Sequence, residues 1–223
     1  DYGAIYWAEQ KLSAGMTATF FSTFPIFTAL FSQLFNKSEP VSPKTWWGLI
    51  LGLGGVVLLF HREWRIVGWE TVIPAGAVVI GAMGGAFHLV IVKKFLGHMN
   101  AITLTTHQMV WGSLMLLTIG TLKGEWSHVH TSPASLAAIG YLALVATALA
   151  FTLYYLMLQH CSAVTASLLV YCIPPVTLFL DWLVFQERVG LQTALAICII
   201  FMGIGLSQQS QIRKKDLKKM VER

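Results

Sequence analysis

The sequence predicts an all-α polytopic membrane protein, because it is poor in charge and rich in long uncharged stretches. Of its 223 residues, 56% are hydrophobic and 11% are charged, whereas a soluble domain carries about 45–50% apolar and about 25% charged residues. So few charges cannot cover a surface in water. A transmembrane helix needs about 20 apolar residues, and the chain predicts about seven full transmembrane helices plus a stub.

The apolar runs are continuous rather than alternating, which favours helices over a β-barrel. Each run is about twice the length of a barrel strand, and backbone amides in lipid must be bonded within their own segment. The pairs Gly48/Gly52 and Gly81/Gly85 place small residues four apart, a spacing that lets membrane helices approach closely. Because glycine is common in such helices, we treat these pairs as weak evidence.

The first apolar stretches are separated by a turn that contains two prolines. Residues 2–8 are apolar but have no basic segment and no cleavage motif, so we expect the end of a span rather than a signal peptide. An uncharged span covers residues 14–35, and a shorter one covers residues 45–60, with the polar turn 36–44 between them. The charged connector 61–70 follows.

The remaining spans are longer and are separated by charged or polar loops. The longest polar loop covers residues 123–135, and a tight charged turn covers residues 186–190. We predict these later spans over residues 71–92, 101–122, 136–158, 162–185 and 191–207.

The net charge of +5 does not indicate a nucleic-acid partner, because the basic residues concentrate in a C-terminal tail, 209–223. Six of the 15 Lys and Arg residues lie among the last eleven positions. When this tail is placed in the cytoplasm, alternate crossings put ten basic residues inside and five outside. This agrees with the positive-inside rule and predicts a bacterial-type inner-membrane protein with a cytoplasmic C-terminus.

Cysteine, histidine and motif patterns indicate neither a metal nor another cofactor. Cys161, Cys172 and Cys198 are an odd number without metal-like spacing, so we interpret them as reduced packing thiols. His128 and His130 lack a third ligand nearby in sequence. No Walker loop, HExxH or GxSxG motif occurs, so neither an ATP-driven pump nor a hydrolase is expected.

Two segments of the chain resemble each other at an offset of about 149 residues. Five predicted crossings separate the two segments, and an odd number means that they are inserted in opposite senses. We therefore predict an inverted repeat of five-helix bundles with an incomplete first repeat, and a binding site between the halves near the bilayer midplane. The matching pairs include Pro25 with Pro174, Thr28 with Thr177 and, after a one-residue slip, Gly55 with Gly203.

Four stretches carry motifs of a known family. LSAGMTATFFSTFPIFTALFSQLFNKSEPVS, over residues 12–42, looks like a SAG…P-x-F-T-A-L…E-x-x-S signature. LTTHQMVWGSLMLL contains a T-x-x-Q-M core, and ATALAFTLYYLMLQHCSAV and IPPVTLFLDWLVFQERVG follow it in the expected order. Together these stretches resemble EamA-type members of the drug/metabolite transporter superfamily. Ser38 and Gln186 depart from the pattern, which has Gly before Glu.

The resemblance implies ten helices in two inverted repeats, with both termini in the cytoplasm and alternating access for small metabolites. It also implies that this chain is N-terminally truncated and lacks the first two helices. Residues 1–60 would then be the C-terminal part of the first EamA repeat, residues 61–208 the second repeat, and residues 209–223 a basic cytoplasmic tail.

Asp181 is the most informative candidate residue, because it is an acid within the predicted span 162–185. A carboxylate there costs several kcal/mol unless it faces protein or water. Asp181 follows Pro174 by seven residues, about two helical turns, and so shares roughly one face with it. One interpretation is a coupling or substrate-binding carboxylate that exchanges a proton. The other is an acid that reaches water at the outer interface.

The other substrate or coupling candidates are polar or kink-forming residues within the spans. His88 and His107 could relay a proton near neutral pH or be packing histidines. Gln108 could both donate to and accept from a polar ligand. Pro25 and Pro174 could free backbone carbonyls or permit a bend, or be tolerated kinks.

Aromatic residues complete the candidate set. Tyr155, Tyr171 and Trp111 could line a cavity for organic solutes, although packing or interface anchoring would account for each one singly. The sequence thus predicts a secondary transporter, an exporter or exchanger whose partners are the lipid bilayer, a small-molecule substrate and protons. A transport-inactive membrane fragment or assembly partner is the alternative, and a membrane enzyme that uses the histidines and Asp181 is a third interpretation.

Overall fold

The computed structural model describes residues 2–36, 40–61, 68–124, 132–185 and 190–221, and these residues contain helices and no strand. This confirms the predicted all-α class. The described side chains exclude those of residues 2, 181, 182, 184, 185 and 210–221. Helix contacts divide the chain into two units: residues 1–94 with 162–223, called unit 1, and residues 95–161, called unit 2.

The helices follow one another with short connections. Two π-helical stretches continue α-helices: Val92–Leu96 extends α5, and Leu142–Leu149 joins α7 to α8. In chain order the helices are α1 (Tyr2–Glu9), α2 (Ala14–Phe21), α3 (Phe24–Phe35), α4 (Pro43–Leu59), α5 (Trp69–Ile91), α6 (Ala101–Leu122), α7 (Pro133–Tyr141), α8 (Ala150–His160), α9 (Ala163–Ser167), α10 (Leu169–Phe185) and α11 (Leu191–Val221).

Serine side chains set where several helices begin. An N-terminal serine hydroxyl accepts a backbone N–H that the first helical turn leaves unpaired. Proline then fits the first turn because its missing N–H has no partner to lose, as at the starts of α4 and α7. The capping oxygens and the backbone nitrogens they accept from are Ser13 with Met16 at 3.2 Å, Ser42 with Thr45 at 3.2 Å, Ser132 with Ser135 at 3.1 Å and Ser162 with Thr165 at 3.1 Å.

Five described stretches are long and apolar enough to cross a membrane: Ala14–Phe35, Trp69–Leu96, Pro133–His160, Ala163–Leu180 and Leu191–Gln209. The sequence predicted seven spans. The other two are the apolar helix α4, which has 17 residues, and α6, which has 22 residues but includes five threonines, a histidine and a glutamine. Short length and polar content account for the difference.

The span Ala14–Phe35 is interrupted, whereas the sequence predicted it as continuous. α2 ends at Phe21 and α3 begins at Phe24, with Pro25 in its first turn. Pro25 has no N–H to bond back into the preceding turn. Near the gap, the Ser22 hydroxyl donates to the Ala18 carbonyl at 2.7 Å, and the Thr23 hydroxyl donates to the Phe20 carbonyl at 2.7 Å. Both carbonyls also accept a backbone N–H, from Ser22 and Thr23 respectively, so the hydroxyls add second hydrogen bonds beside the gap.

A second interruption lies in the stretch that the predicted internal repeat pairs with the first one. α9 ends at Ser167, α10 begins at Leu169, and Pro174 and Pro175 lie inside α10. The Ser167 hydroxyl donates to the Val164 carbonyl at 2.8 Å. Both candidate prolines therefore lie a few residues after a helix break, beside which a hydroxyl group donates to a backbone carbonyl.

The closest helix packing in unit 1 is between α4 and α11, which run antiparallel. A Cβ atom placed on Gly203 would lie 2.7 Å from the Gly48 carbonyl oxygen and 2.8 Å from the Gly52 Cα atom. Gly55 faces Ile200 in the same way, with 2.9 Å from the Cβ position to the Ile200 backbone nitrogen. Only glycine permits this approach. The Gly48/Gly52 face, which the sequence predicted as a helix-packing surface, therefore does pack against another helix.

Side-chain hydrogen bonds join α4 and α11 near both ends of their contact. The Ser207 hydroxyl donates to the Thr45 carbonyl at 3.2 Å. At the other end, the Gln192 amide nitrogen lies 2.6 Å from Nδ1 and 3.1 Å from Nε2 of His61. α11 continues past the predicted span 191–207 as far as Val221, because its polar end contains no Gly or Pro and is rich in helix-forming residues.

We predict that Gly203→Ala destabilises the protein by about 1–3 kcal/mol, because its methyl group forces apart two backbones in contact. The thermal unfolding midpoint of the purified protein in detergent measures this loss. Gly205→Ala is the matched control two residues away, where an added Cβ atom has nothing within 4 Å and alanine favours the helix by about 1 kcal/mol. Equal midpoints for the two variants would contradict the packing described above.

Candidate functional site

The structure leaves three of the sequence-based candidates outside its described side chains. Asp181 lies in α10, but its side chain is not among those described, so its coupling role stays a prediction. His128 and His130 fall in the undescribed stretch 125–131. Among the described residues, no group of three or more His, Cys, Asp or Glu side chains could hold a metal ion.

Tyr171 is a helix-contact residue in unit 1. Its side chain is fully buried, and its hydroxyl donates to the Leu49 carbonyl of α4 at 2.9 Å. Its ring covers Gly52, where a Cβ atom would lie 2.6 Å from two ring carbons. The hydroxyl and the ring are both used to hold α10 against α4.

The two interrupted spans lie side by side in unit 1. α3 packs against α9, and one hydrophobic cluster includes Ala29 of α3, Val164 of α9 and Leu168 at the second break. Pro25 and Pro174 are both buried. The two interrupted spans, which contain the candidate prolines, therefore belong to one packed region.

Buried hydroxyl groups along the first interrupted span were missed by the sequence reasoning. The Thr28 hydroxyl donates to the Phe24 carbonyl at 2.9 Å, but the hydroxyls of Thr17 and Ser32 are buried without a hydrogen-bond partner. Such a group costs about 1–3 kcal/mol, and in a native protein it points to water or a ligand. Thr28 and Ser32 are four residues apart in α3 and so lie on one helical face, a polar spacing visible in the sequence, whereas Thr17 lies in α2 before the break.

The two candidate histidines and Trp111 are exposed. His88 lies on α5 in unit 1 and His107 on α6 in unit 2. The His107 Nδ1 atom lies 2.8 Å from the Thr103 carbonyl oxygen of its own helix. Trp111 is 69% exposed, which suits an interface or lipid-facing position.

Gln108 and Tyr155, two candidates that are 47 residues apart, are hydrogen-bonded to each other in unit 2. The Tyr155 hydroxyl donates to the Gln108 side-chain oxygen. Neighbouring polar contacts join the same pair of segments. They are Thr152 Oγ1 to Thr105 Oγ1 at 3.4 Å and Gln159 Nε2 to the Met99 carbonyl at 2.6 Å.

Aromatic rings surround the Tyr155 end of this pair. The ring centroid of Tyr155 lies 6.2 Å from that of Tyr154 and 6.5 Å from that of Phe151. Tyr155 is 4% exposed, whereas Gln108 is half-buried. Unit 2 therefore presents an amide group next to an aromatic cluster.

Comparison with known proteins assigns the family. The model of the EamA-like transporter family matches residues 2–61 and 73–208, which is most of the chain. The protein belongs to the EamA-like transporter family. This confirms the resemblance read from the motifs. As an EamA member it is a multi-pass membrane transporter, whose surroundings are a lipid bilayer and whose cargo is a small molecule.

Individual relatives agree with the family. The chain is 22% identical over 218 residues to the uncharacterized transporter YoaV of Bacillus subtilis, covering 96% of this chain and 73% of YoaV. It is 28% identical over 220 residues to protein PecM of Dickeya dadantii, covering 96% of this chain and 72% of PecM. A solved crystal structure shares the fold with a TM-score of 0.76 at 16% identity, covering 93% of this chain and 71% of that one.

We predict that Tyr171→Phe lowers the free energy of unfolding by about 1 kcal/mol, because it removes one buried hydrogen bond and keeps the ring over Gly52. The thermal unfolding midpoint in detergent measures the loss. Tyr141→Phe is the control, since Tyr141 is 63% exposed and its substitution should leave the midpoint unchanged. A Tyr171→Phe midpoint equal to that of the parent protein would count against the contact with Leu49.

Proposed function

We propose that this EamA protein is a secondary transporter that exports or exchanges small metabolites by alternating access across a bacterial inner membrane, with its C-terminus in the cytoplasm. The two moving halves are inverted repeats, residues 1–60 and residues 61–208. The observation that carries the proposal is the reciprocal packing of α4 and α11.

The α4–α11 contact is reciprocal: the same kind of contact occurs when each residue is replaced by its counterpart 148 residues away in the other helix. A Cβ atom on Gly48 would lie 2.5 Å from the Gly203 carbonyl oxygen, and one on Gly55 would lie 3.1 Å from the Ala196 carbonyl oxygen. At the offset of 148 residues, Gly48 corresponds to Ala196 and Gly55 to Gly203. Exchanging the partners converts one contact into the other, which is the property of surfaces related by a two-fold axis.

The direction of the two helices supports inversion. α4 and α11 are equivalent by sequence and pack antiparallel, and membrane helices that pack antiparallel cross the bilayer in opposite senses. The helices before them are also alike, because Ser13 and Ser162 cap α2 and α9 at an offset of 149 residues and both helices end at a break. The family match in two stretches, 2–61 and 73–208, agrees with two repeats.

The interrupted spans supply the movable elements of the proposed cycle. Transporters with inverted repeats bind substrate at broken helices and expose the site alternately to each side as the halves rock. Here the breaks at Ser22–Thr23 and at Leu168 lie in packed helices with unpartnered hydroxyls on Thr17 and Ser32. These features favour a carrier over a membrane-bound assembly partner, which needs neither.

Counterflow tests the proposal. The purified protein is reconstituted in liposomes loaded with one unlabelled compound from a panel of amino acids, organic acids, amides and amines, and uptake of the same labelled compound is followed. A carrier accumulates label in loaded vesicles and not in empty ones. Protein-free liposomes are the control. Absence of this stimulation across the panel would favour the transport-inactive alternative.

Asp181 is the proposed proton-coupling carboxylate. If it carries the proton, we expect Asp181→Asn to lose uptake driven by an imposed pH gradient and to keep counterflow, because exchange needs no net proton movement. Glu9→Gln is the control, since Glu9 lies exposed at the end of α1. Gradient-driven uptake by Asp181→Asn at the parent rate would refute the role.

We predict that Pro25→Ala slows counterflow at least about tenfold, a barrier change of about 1.4 kcal/mol. Alanine restores the backbone N–H, so α2 and α3 can join into one helix and lose the break. Pro43→Ala is the control, because Pro43 is exposed in the first turn of α4. The thermal unfolding midpoint separates slow transport from unfolding, and an unchanged rate in a folded Pro25→Ala protein would contradict a role for the break.

A further inference from the structure

The Gln108 side chain is an amide of a membrane helix in unit 2 whose oxygen is hydrogen-bonded while its amino group donates to no described residue. A carboxamide has one acceptor oxygen and two N–H donors. Tyr155 donates to the oxygen, and the amino group donates to none of the described residues. Because N–H donors without a partner are costly away from water, this amino group is available to a ligand.

The other polar side chains that join these segments are already satisfied. Thr152 donates to the Ala148 carbonyl at 2.8 Å and lies 3.4 Å from the Thr105 hydroxyl. The Gln159 amide donates to the Met99 carbonyl at 2.6 Å. These contacts hold helices together, and Gln108 differs from them by presenting donors that no described group accepts.

Tyr155 fixes the direction in which those donors point. Its side chain is almost fully buried and is held between neighbouring rings at 6.2 and 6.5 Å, so its hydroxyl offers a fixed donor to the Gln108 oxygen. A carboxamide is planar, and fixing its oxygen also fixes its amino group. A donor oriented before binding loses less entropy when a ligand arrives.

We propose that Gln108, oriented by Tyr155, forms a substrate-binding site for uncharged aromatic compounds that carry a carbonyl oxygen, such as aromatic amides. This deepens the proposed transport function and rests on it. The Gln108 amino group donates to the carbonyl oxygen of the ligand. Phe151 and Tyr154, which are half-buried beside Tyr155, offer aromatic surface to the ring of the ligand.

Charge decides between a neutral carbonyl and a carboxylate. An anion inside the membrane needs a cationic partner or water to offset its desolvation. No Lys, Arg or His of the described residues is hydrogen-bonded to Gln108, and the ring of the adjacent His107 contacts the Thr103 carbonyl of its own helix. The site therefore favours benzamide over benzoate.

Equilibrium binding of labelled benzamide to the purified protein in detergent tests the site, with benzoate, benzylamine and cyclohexanecarboxamide as competitors. Benzylamine lacks the acceptor and cyclohexanecarboxamide lacks the aromatic ring. We expect unlabelled benzamide to displace the label better than any of these three compounds. We expect Gln108→Leu and Tyr155→Phe each to weaken benzamide binding at least about tenfold. Thr152→Val is the matched control on the same face of α8 and should bind as the parent protein does.

Each outcome decides a different point. Benzamide binding that is absent in the parent protein, or unchanged in a folded Gln108→Leu protein, overturns the site. Tighter binding of benzoate than of benzamide overturns the preference for a neutral ligand. If the site fails while counterflow with other metabolites persists, the transport function stands. If benzamide binding depends on Gln108 but no compound shows counterflow, the transport function fails and the binding site stands.

Discussion

The close approach of α4 and α11 organises the hydrophobic cluster around Tyr171 in unit 1. Lipid is as apolar as the side chains it surrounds, so membrane helices associate through close packing and hydrogen bonds. Gly203 against Gly48 and Gly52 brings two backbones together, and the absence of a side chain on Gly52 leaves the space that the Tyr171 ring fills. Tyr171, in the same cluster as Ala29, links this contact to α9, α10 and α3. The glycine contact is therefore connected through one cluster to both interrupted spans, and the first of these spans also packs against α5.

The helix breaks follow from the same need to satisfy every backbone group in lipid. An interruption in a span leaves carbonyls without N–H partners, which hydrocarbon cannot hydrate. Beside the first break, the Ser22 and Thr23 hydroxyls add hydrogen bonds to carbonyls that also accept backbone N–H groups, and the Ser167 hydroxyl adds one at the second. Hydrogen bonds of this kind stay within one segment and move with it. This makes such a segment suitable as a moving part, whereas the glycine contact is suited to being fixed.

The sequence predicted what depends on local composition, and missed what depends on contacts between distant segments. Hydropathy placed α6 at residues 101–122 and the start of α11 at Leu191, as observed, because an uncharged run of that length permits only a helix. It missed the break at Ser22–Thr23, because Ser and Thr are uncharged and fit a continuous transmembrane helix by hydropathy. Their side-chain hydrogen bonds to the backbone are visible only in the structure. It named Gln108 and Tyr155 separately but could not pair them across 47 residues. The periodicity of one helix does not show which other helix packs against it.

The two buried tyrosines differ in the kind of group that accepts their hydroxyl hydrogen bond. The Tyr171 hydroxyl donates to a backbone carbonyl, and that contact is complete within the protein. The Tyr155 hydroxyl donates to a side-chain amide, which retains two donors of its own. A hydrogen bond that ends on the backbone fixes two helices. One that ends on a carboxamide also orients a second group, and in a membrane helix an oriented donor without a partner is stable only when something polar reaches it. In a transporter, the substrate is the polar group that arrives and departs.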